Sequence, residues 1–308
     1  MAELIDLNGE FDLGNKFTLN VATKFSQMLD DSYRVIVKYG NQKLPKYVDD
    51  KLNILISTSR ENHQLPVGFF RDDVFLIFQH YHPLGKWGEV VHNPLTFPIP
   101  LGSFNDDYHD IEIKPLSQRK YDFTFIGQIP HTGTRDGFKR CLDKMLEETG
   151  DKFKHKVIYT DGFCQGLESK EYMEILADSR LSLCPTGACS PETFRFFESL
   201  MMGAIPVVES LPQFWYYEKA TFFRGGWQFL DNTLSKALNL LQTAECKPLL
   251  YGLASYNNTV LSVDGLAHKM TEMVKARHLN LESSKEYLEN LRDKFKNELD
   301  ADELQDSL

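Results

Sequence analysis

The segment from Asp178 to Ser210 constrains the fold more than any other part of this chain. Its sequence reads DSRLSLCPTGACSPETFRFFESLMMGAIPVVES. A short apolar run with the character of a buried strand stops at Pro185 and Gly187, which are turn residues. Ser190 then stands where a helix N-cap belongs, and a proline at position 191 is typical of a first helical residue. The sequence therefore predicts a strand, a loop and a helix that begins at residue 191.

The predicted helix ends at Gly203, and AIPVV follows it as a second short strand. A parallel strand–helix–strand unit places the helix N-terminus at the carboxyl edge of a sheet. There its free N–H groups and the positive end of the helix dipole can hold a phosphate. Arg195 and Glu198 lie three residues apart and therefore on one face of the helix. A cation and an acid behind an anion-binding helix end suit the diphosphate and the ribose of a nucleotide.

The composition argues against several classes of protein. The chain has 308 residues, 42% of them hydrophobic, which is enough for two domains. Lys and Arg number 34 against 44 Asp and Glu, a net charge of −10, and there is no basic stripe, so a nucleic-acid partner is disfavoured. With no apolar run of about 18 residues and no signal peptide, we expect no integral membrane segment. The five scattered cysteines lack ligand spacing and favour a cytoplasmic setting, with a luminal domain lacking its anchor as the alternative.

Strand and helix signals alternate twice along the chain, with a polar break near residue 115. We therefore predict an α/β fold of two Rossmann-like domains that face a central cleft, at residues 1–115 and 116–278. Residues 279–308 are predicted to be an amphipathic helix and acidic tail that packs back on the first domain. The predicted strands are YRVIVKY, LNILIST, DVFLIFQHY, YDFTFIGQ and HKVIYTDG, and the further helices lie at 17–29, 135–148, 169–179, 231–241 and 263–276; residues 82–102 are predicted as loops.

Several of these patterns together resemble the exostosin-type glycosyltransferases. The resemblance rests on CPTG, SPETFRFFES and GAIPVV, on the preceding SKEYMEILADSR helix and on the YDFTFIG strand, over roughly residues 119–215. It implies the GT-B fold, in which the first domain binds the acceptor and the second binds a nucleotide sugar. It also implies a hexosyl- or pentosyltransferase that takes its sugar from a UDP donor, as in polysaccharide biosynthesis.

The resemblance gives the helix residues roles in such a reaction. Arg195 is expected to bind the diphosphate and to stabilise the charge of the departing UDP, and Glu198 is expected to accept hydrogen bonds from the ribose. The simpler interpretation is an ion pair on the helix surface, worth a few tenths of a kcal/mol. We favour the functional interpretation because the helix start and the family patterns agree with it.

Further donor-binding candidates surround these two residues. Gly127 ends a strand and lets a ligand approach the backbone, and Thr134 and Arg135 stand at the next helix start. A structural role for these three is equally compatible with the sequence. No GxGxxG or P-loop pattern is present. The loop before the Arg195 helix contributes the remaining candidates, which are Pro185, Gly187, Ser190 and Thr193.

An inverting reaction would need a general base, and a retaining one would not. His80 and His82 follow the fourth strand, at the expected cleft edge, and are the candidates for that base. Neighbouring loops also hold Glu61, His63 and Glu89.

The loops also contain aromatic residues, which can stack on sugar rings or be buried between the domains. These are Trp87, Phe214, Trp215, Tyr216, Tyr217 and Trp227. Two acidic groups, at 106–110 and 300–302, are expected to be solvated loops. We therefore predict no obligatory metal and no cofactor besides the UDP-sugar donor.

Two alternatives remain open at this stage. One is a fucosyltransferase-like enzyme or an epimerase that uses another nucleotide sugar. The other, from a different class, is a non-catalytic subunit that binds a nucleotide or a sugar. Turnover of nucleotide sugars distinguishes the enzymes from the subunit.

Overall fold

The computed structural model contains two parallel β-sheets whose strands are connected in part by helices. It describes residues 1–7, 16–39, 44–58, 73–81, 95–104, 110–129, 133–162, 165–187, 191–244 and 246–279. Several predicted features lie outside these residues. They are the tail helix and the candidate residues Glu61, His63, His82, Trp87, Glu89 and Ser190.

The first sheet is built by the N-terminal third of the chain. Its five strands are parallel and follow the order β1-β2-β3-β4-β5. Strands β3 and β4 are almost entirely buried, as expected for central parallel strands that read as continuous apolar runs. The elements are β1 (Glu3–Asp6), α1 (Lys16–Met28), β2 (Tyr33–Tyr39), β3 (Leu52–Thr58), β4 (Val74–Gln79) and β5 (Thr96–Pro98).

The second sheet has the order β10-β9-β8-β6-β7, again with parallel pairing throughout. The chain first adds β7 on one side of β6 and then places β8 on the other side. The strand order therefore reverses between β6 and β8, and such a reversal opens a crevice at the carboxyl ends of the two strands. The strands are β6 (Tyr121–Gln128), β7 (His155–Thr160), β8 (Ser179–Leu183), β9 (Ile205–Val208) and β10 (Phe223–Arg224).

Six α-helices follow the first sheet within the described residues. They are α2 (Gly133–Thr149), α3 (Ser169–Ala177), α4 (Phe194–Met201), α5 (Leu230–Leu241), α6 (Cys246–Thr259) and α7 (Val263–Leu279). Helices α2 and α5 share a hydrophobic core with the second sheet, and the other four share one with the first sheet and α1. The last of them packs against α1 of the first half. Lys24 pairs with Asp264 at 2.7 Å, and the Tyr33 hydroxyl lies 3.0 Å from His278 Nδ1. One continuous hydrophobic core therefore joins α1 and the first sheet to α3, α4, α6 and α7.

The predicted α/β class with two parallel sheets is confirmed, and every predicted strand and helix within the described residues is present. The central cleft and the domain boundaries stay predictions. The start of α4 was wrong: the helix begins at Phe194 with Thr193 as its N-cap, not at residue 191. Strands β1, β5 and β10 and helix α6 were not predicted, and β5 lies within the segment predicted as loops. Short strands of two to four residues carry too little periodicity to be read from sequence.

Gly203 ends α4 as predicted, and its surroundings explain why glycine is needed. Its φ is +70°, and its N–H donates to the Leu200 carbonyl at 3.0 Å. A Cβ at this position would lie 2.7 Å from Arg119 Nη2 and 3.0 Å from Ile113 Cγ2. Arg119 cannot easily yield, because its guanidinium is buried and donates to the Ser179 carbonyl at 2.8 Å.

We predict that Gly203→Ala lowers the free energy of unfolding by about 3 kcal/mol, from backbone strain and steric overlap together. Gly150→Ala is the matched control, because Gly150 also has a positive φ, of +51°, but a Cβ placed there would meet no atom within 4 Å. We expect the control to lose only about 1 kcal/mol in urea unfolding. Equal losses for the two variants would contradict the steric explanation.

Candidate functional site

The carboxyl ends of β6 and β8 form the site at which the predicted residues meet. We call this region the switch edge; it comprises residues 126–128 and 184–187, the start of α4, and Arg135. It lies where the strand order reverses, which is the usual place for a ligand in an open parallel sheet. Pro185 is buried in it and Gly187 is half-buried.

Arg195 extends from α4 across the end of β6. Its Nε and Nη2 both donate to the Ile126 carbonyl, at 3.1 and 2.7 Å. The guanidinium carbon lies 4.6 Å from the centre of the Phe125 ring, which adds a cation–π contact. The third nitrogen, Nη1, is buried and has no hydrogen-bond partner among the described residues. The side chain is thus fixed by the protein while one charged donor is left over.

Gly127 makes this position of Arg195 possible. A Cβ on Gly127 would overlap Arg195 Nη2, so only glycine leaves room for the guanidinium. Close approach of a ligand was the predicted reason for this glycine. The structure shows a close approach of Arg195 instead.

Arg135 contacts the same edge from helix α2. Its Nε donates to the Thr186 carbonyl and its Nη1 to the Gln128 carbonyl, both at 2.9 Å. Together with Arg195 it places two guanidinium groups at the end of β6. The side chain of Thr134 lies outside the described part of the chain.

The start of α4 supplies further polar atoms. Thr193 has an extended backbone, with φ −141° and ψ 147°, and its side chain makes no capping hydrogen bond. Its hydroxyl is buried and finds no hydrogen-bond partner among the residues that the structure describes. The N-terminal N–H groups of α4, the Thr193 hydroxyl and Arg195 are thus close together along the chain, as an anion site requires.

Glu198 is buried rather than placed on the helix surface. Its Oε1 accepts a hydrogen bond from the Phe104 backbone N–H at 3.1 Å, and its Oε2 accepts one from the Tyr172 hydroxyl at 2.9 Å. The surface ion pair considered from sequence is therefore not formed. Glu198 instead ties α4 to α3 and to the segment that follows the first sheet.

His80 follows β4, as the sequence predicts. Its side chain is fully buried, and its Nε2 lies 3.3 Å from the Thr18 hydroxyl of α1. Burial lowers the pKa of His80 to about 3. An imidazole with this pKa holds a proton poorly at neutral pH, which disfavours the predicted role as a general base.

A row of polar side chains crosses the carboxyl end of the first sheet. Lys38 pairs with Ser57, and Ser57 pairs with Gln79, so the three side chains lie side by side on one face. All three are fully buried. The Ser57 hydroxyl has no hydrogen-bond partner within the described ranges. We call Lys38, Ser57 and Gln79 the polar row.

Glu192 was missed by the sequence reasoning. Its side chain is 2% exposed, and its Oε1 accepts hydrogen bonds from the Tyr216 and Tyr217 hydroxyls at 2.6 and 3.1 Å. Burial raises the pKa of Glu192 to about 7, and the two tyrosine hydrogen bonds oppose that rise. With a helix start at residue 191, Glu192 would have been an exposed acid of the first turn. The paired tyrosines of FWYYEK were the only sequence signal for a buried partner.

Most of the loop aromatics are buried, which agrees with the structural alternative. Phe214, Tyr216, Tyr217 and Trp227 are buried, and Trp215 is half-buried. Within the described ranges, no group of three or more His, Cys, Asp or Glu side chains is placed to hold a metal ion. In the same ranges, every helix is too short or too polar to cross a membrane.

Comparison with protein families confirms the resemblance to exostosin-type glycosyltransferases. The sequence model of the Exostosin GT47 domain matches residues 87–212, which include β6, α3, β8, α4 and β9. No curated protein matches the chain in sequence. The whole switch edge lies within the matched residues.

Three of the solved structures that are similar to this chain are glycosyltransferases. One is involved in avilamycin A biosynthesis, with 12% identity, coverage of 85% of this chain and 89% of that chain, and a TM-score of 0.43. An α-glucosyltransferase in complex with UDP and DNA has 11% identity, coverage of 89% and 100%, and a TM-score of 0.45. An α1,3-fucosyltransferase has 11% identity, coverage of 89% and 90%, and a TM-score of 0.46.

The raised pKa of Glu192 predicts how stability depends on pH. The folded protein binds this proton more tightly than the unfolded chain, whose glutamate has a pKa of 4.5. The contribution of this group to the free energy of unfolding is fully present below about pH 4.5 and is lost as the pH rises through about 7. The loss in the free energy of unfolding is roughly 3 kcal/mol at most. We expect Glu192→Gln to remove this loss, so that urea unfolding at pH 5 and pH 8 shows a smaller difference for the variant. Glu147→Gln, at an exposed position of α2, is the control; identical pH dependence of Glu192→Gln and the unaltered protein would contradict the prediction.

Proposed function

We propose that this protein is a glycosyltransferase that moves a sugar from a UDP-sugar to a hydroxyl of a glycan or another acceptor. The observation that carries the proposal is the state of Arg195. Two of its nitrogens are fixed on the Ile126 carbonyl, and the third is buried without a partner among the described residues. An unpaired charged donor in a buried position is costly, and an anionic ligand would supply the missing acceptor.

A diphosphate fits this position for electrostatic reasons. The chain as a whole carries a net charge of −10, so an anion must be held by local groups. Arg195, Arg135 and the N-terminus of α4 supply positive charge and partial charge at the switch edge. In the reaction, Arg195 would stabilise the negative charge that develops on the departing UDP. Main-chain and side-chain groups next to these residues in the chain or in the sheet complete the proposed donor site: Gly127, Thr134, Pro185, Gly187, Ser190 and Thr193.

Glu198 is proposed to contact the ribose. The Phe104 N–H donates to one oxygen of its carboxylate, and the Tyr172 hydroxyl donates to the other. The two hydrogen bonds hold the carboxylate in a fixed orientation. A ribose hydroxyl would then donate to a preorganised acceptor, which is the favourable case for recognition.

The acceptor is proposed to bind near the polar row of the first sheet. The row lies at the carboxyl ends of parallel strands, and the Ser57 hydroxyl is available for a hydrogen bond. The hydroxyl groups of an acceptor both donate and accept hydrogen bonds, as contact with such a polar cluster requires. For an inverting reaction we propose His82 as the base in preference to His80, because burial holds His80 in its neutral, weakly basic form.

We predict that UDP stabilises the protein in a thermal-shift measurement more than GDP or CMP does, because only a ligand that binds the folded state raises its apparent stability. Arg195→Ala should weaken UDP binding at least tenfold, the loss expected for one charge-assisted contact. Arg140→Ala, which removes an exposed arginine of α2, should leave the affinity unchanged. Unaltered UDP affinity in Arg195→Ala would overturn the proposed donor site. Binding of UDP without turnover of any UDP-sugar would favour the non-catalytic subunit.

The two parts of UDP give a separate test of Glu198. We expect Glu198→Gln to weaken the binding of uridine and of UDP severalfold while leaving inorganic pyrophosphate unaffected, because only the first two ligands carry a ribose. Arg195→Ala should show the reverse, with loss for pyrophosphate and none for uridine. Isothermal titration with the three ligands measures both patterns. Equal losses for all three ligands in Glu198→Gln would indicate a structural role and refute the ribose contact.

A further inference from the structure

The start of α4 is fastened by a buried carboxylate that the proposed reaction does not use. Glu192 directly precedes the N-cap Thr193, and its Oε1 is shared by the Tyr216 and Tyr217 hydroxyls. Tyr217 also packs against Phe196 of α4, with ring centres 5.2 Å apart. The first turn of the helix is thereby held from two sides, by hydrogen bonds before it and by an aromatic contact within it.

The two tyrosines belong to a segment that also reaches the first sheet. Residues 214–217, which we call the aromatic segment, follow β9. The indole N–H of Trp215 donates to the Pro98 carbonyl of β5 at 2.7 Å. The segment therefore contacts the N-terminal half through one side chain and Glu192 through the next two. Its position depends on both halves of the protein.

We propose that Glu192 is a positioning residue for donor binding: by accepting hydrogen bonds from Tyr216 and Tyr217 it holds the start of α4, and with it Thr193 and Arg195, in the orientation that receives the diphosphate. The inference rests on the proposed function, because it assumes that a UDP-containing donor binds at the switch edge. Nothing in it requires Glu192 to touch the donor.

The charge of Glu192 adds a second, opposing effect. Tyr216 and Tyr217 from the aromatic segment and Tyr256 from α6 are described titratable groups that interact with its charge, and burial raises the pKa of all three well above the ordinary tyrosine value. These tyrosines remain neutral, so they do not cancel an ionised Glu192. A carboxylate next to the helix N-terminus repels a bound diphosphate. Because the pKa of Glu192 is about 7, this repulsion increases through the neutral pH range.

The experiment compares Glu192→Ala with Glu192→Gln by titration with UDP at temperatures well below unfolding. The side-chain oxygen of glutamine can still accept hydrogen bonds from both tyrosine hydroxyls, whereas alanine can accept none. We expect a UDP dissociation constant at least tenfold higher for Glu192→Ala at pH 7. We expect glutamine to restore it to within threefold. Tyr159→Phe is the matched control, because it removes another tyrosine–carboxylate hydrogen bond in the same half, from Tyr159 to Asp143 at 2.6 Å; it should leave UDP binding unchanged.

A pH series of UDP binding tests the charge effect of Glu192, because a general loss of stability would not follow the ionisation of this side chain. The ratio of the UDP dissociation constant of the unaltered protein to that of Glu192→Gln should be near one at pH 6 and reach at least threefold at pH 8. The titration of UDP itself cancels in this ratio. A constant ratio overturns the proposed charge effect, and normal UDP affinity in Glu192→Ala overturns the positioning role even when the unaltered protein binds UDP. Failure of the unaltered protein to bind UDP overturns the proposed function as well.

The double variant Tyr216→Phe/Tyr217→Phe serves if Glu192→Ala does not fold. It removes both hydroxyls that donate hydrogen bonds to Glu192, and it keeps the aromatic rings. The same tenfold weakening of UDP binding is expected, and unchanged affinity would again overturn the proposal.

Discussion

The contact between Arg195 and the end of β6 joins the two sides of the second sheet's switch point. Arg195 comes from the helix that follows β8, and it bonds to Ile126 and stacks on Phe125 of β6. Gly127 leaves the space for it. Because neither strand can move without breaking this contact, the guanidinium is oriented before any ligand arrives. A site built in this way loses little ordering entropy on binding, and every other proposed donor contact is placed relative to it.

Helix α4 is in turn held by two buried carboxylates that face different parts of the molecule. Glu198 accepts a hydrogen bond from the N–H of Phe104, which lies in the segment that follows the first sheet. Glu192 is linked through the aromatic segment to Pro98 at the last strand of that sheet. The helix that carries the proposed diphosphate contact is thus connected twice to the half proposed to bind the acceptor. The proposed donor and acceptor sites are therefore linked by these hydrogen bonds.

The sequence was sufficient to predict the structure where local signals and burial agree. The central strands could be read as apolar runs, and helix periodicity together with the family patterns singled out Arg195. The orientation of Glu192 could not be read, because the tyrosines that bury it lie more than twenty residues further along the chain. That long-range contact also overrides the start signal at 190–191 and keeps residue 193 extended. The burial of His80 could not be read for a similar reason, because the side chain opposite it comes from α1.

The return of α7 to α1 has a consequence for the order in which the protein is assembled. The N-terminal sheet is synthesised first, but part of its covering layer is supplied by residues 263–279. Until these emerge, the apolar side of α1 stays exposed to solvent. Contacts of such wide sequence separation carry a large loop-closure cost and form late. Folding of the first half during translation is therefore incomplete until residues 263–279 have left the ribosome, and the first half depends on the second for its stability.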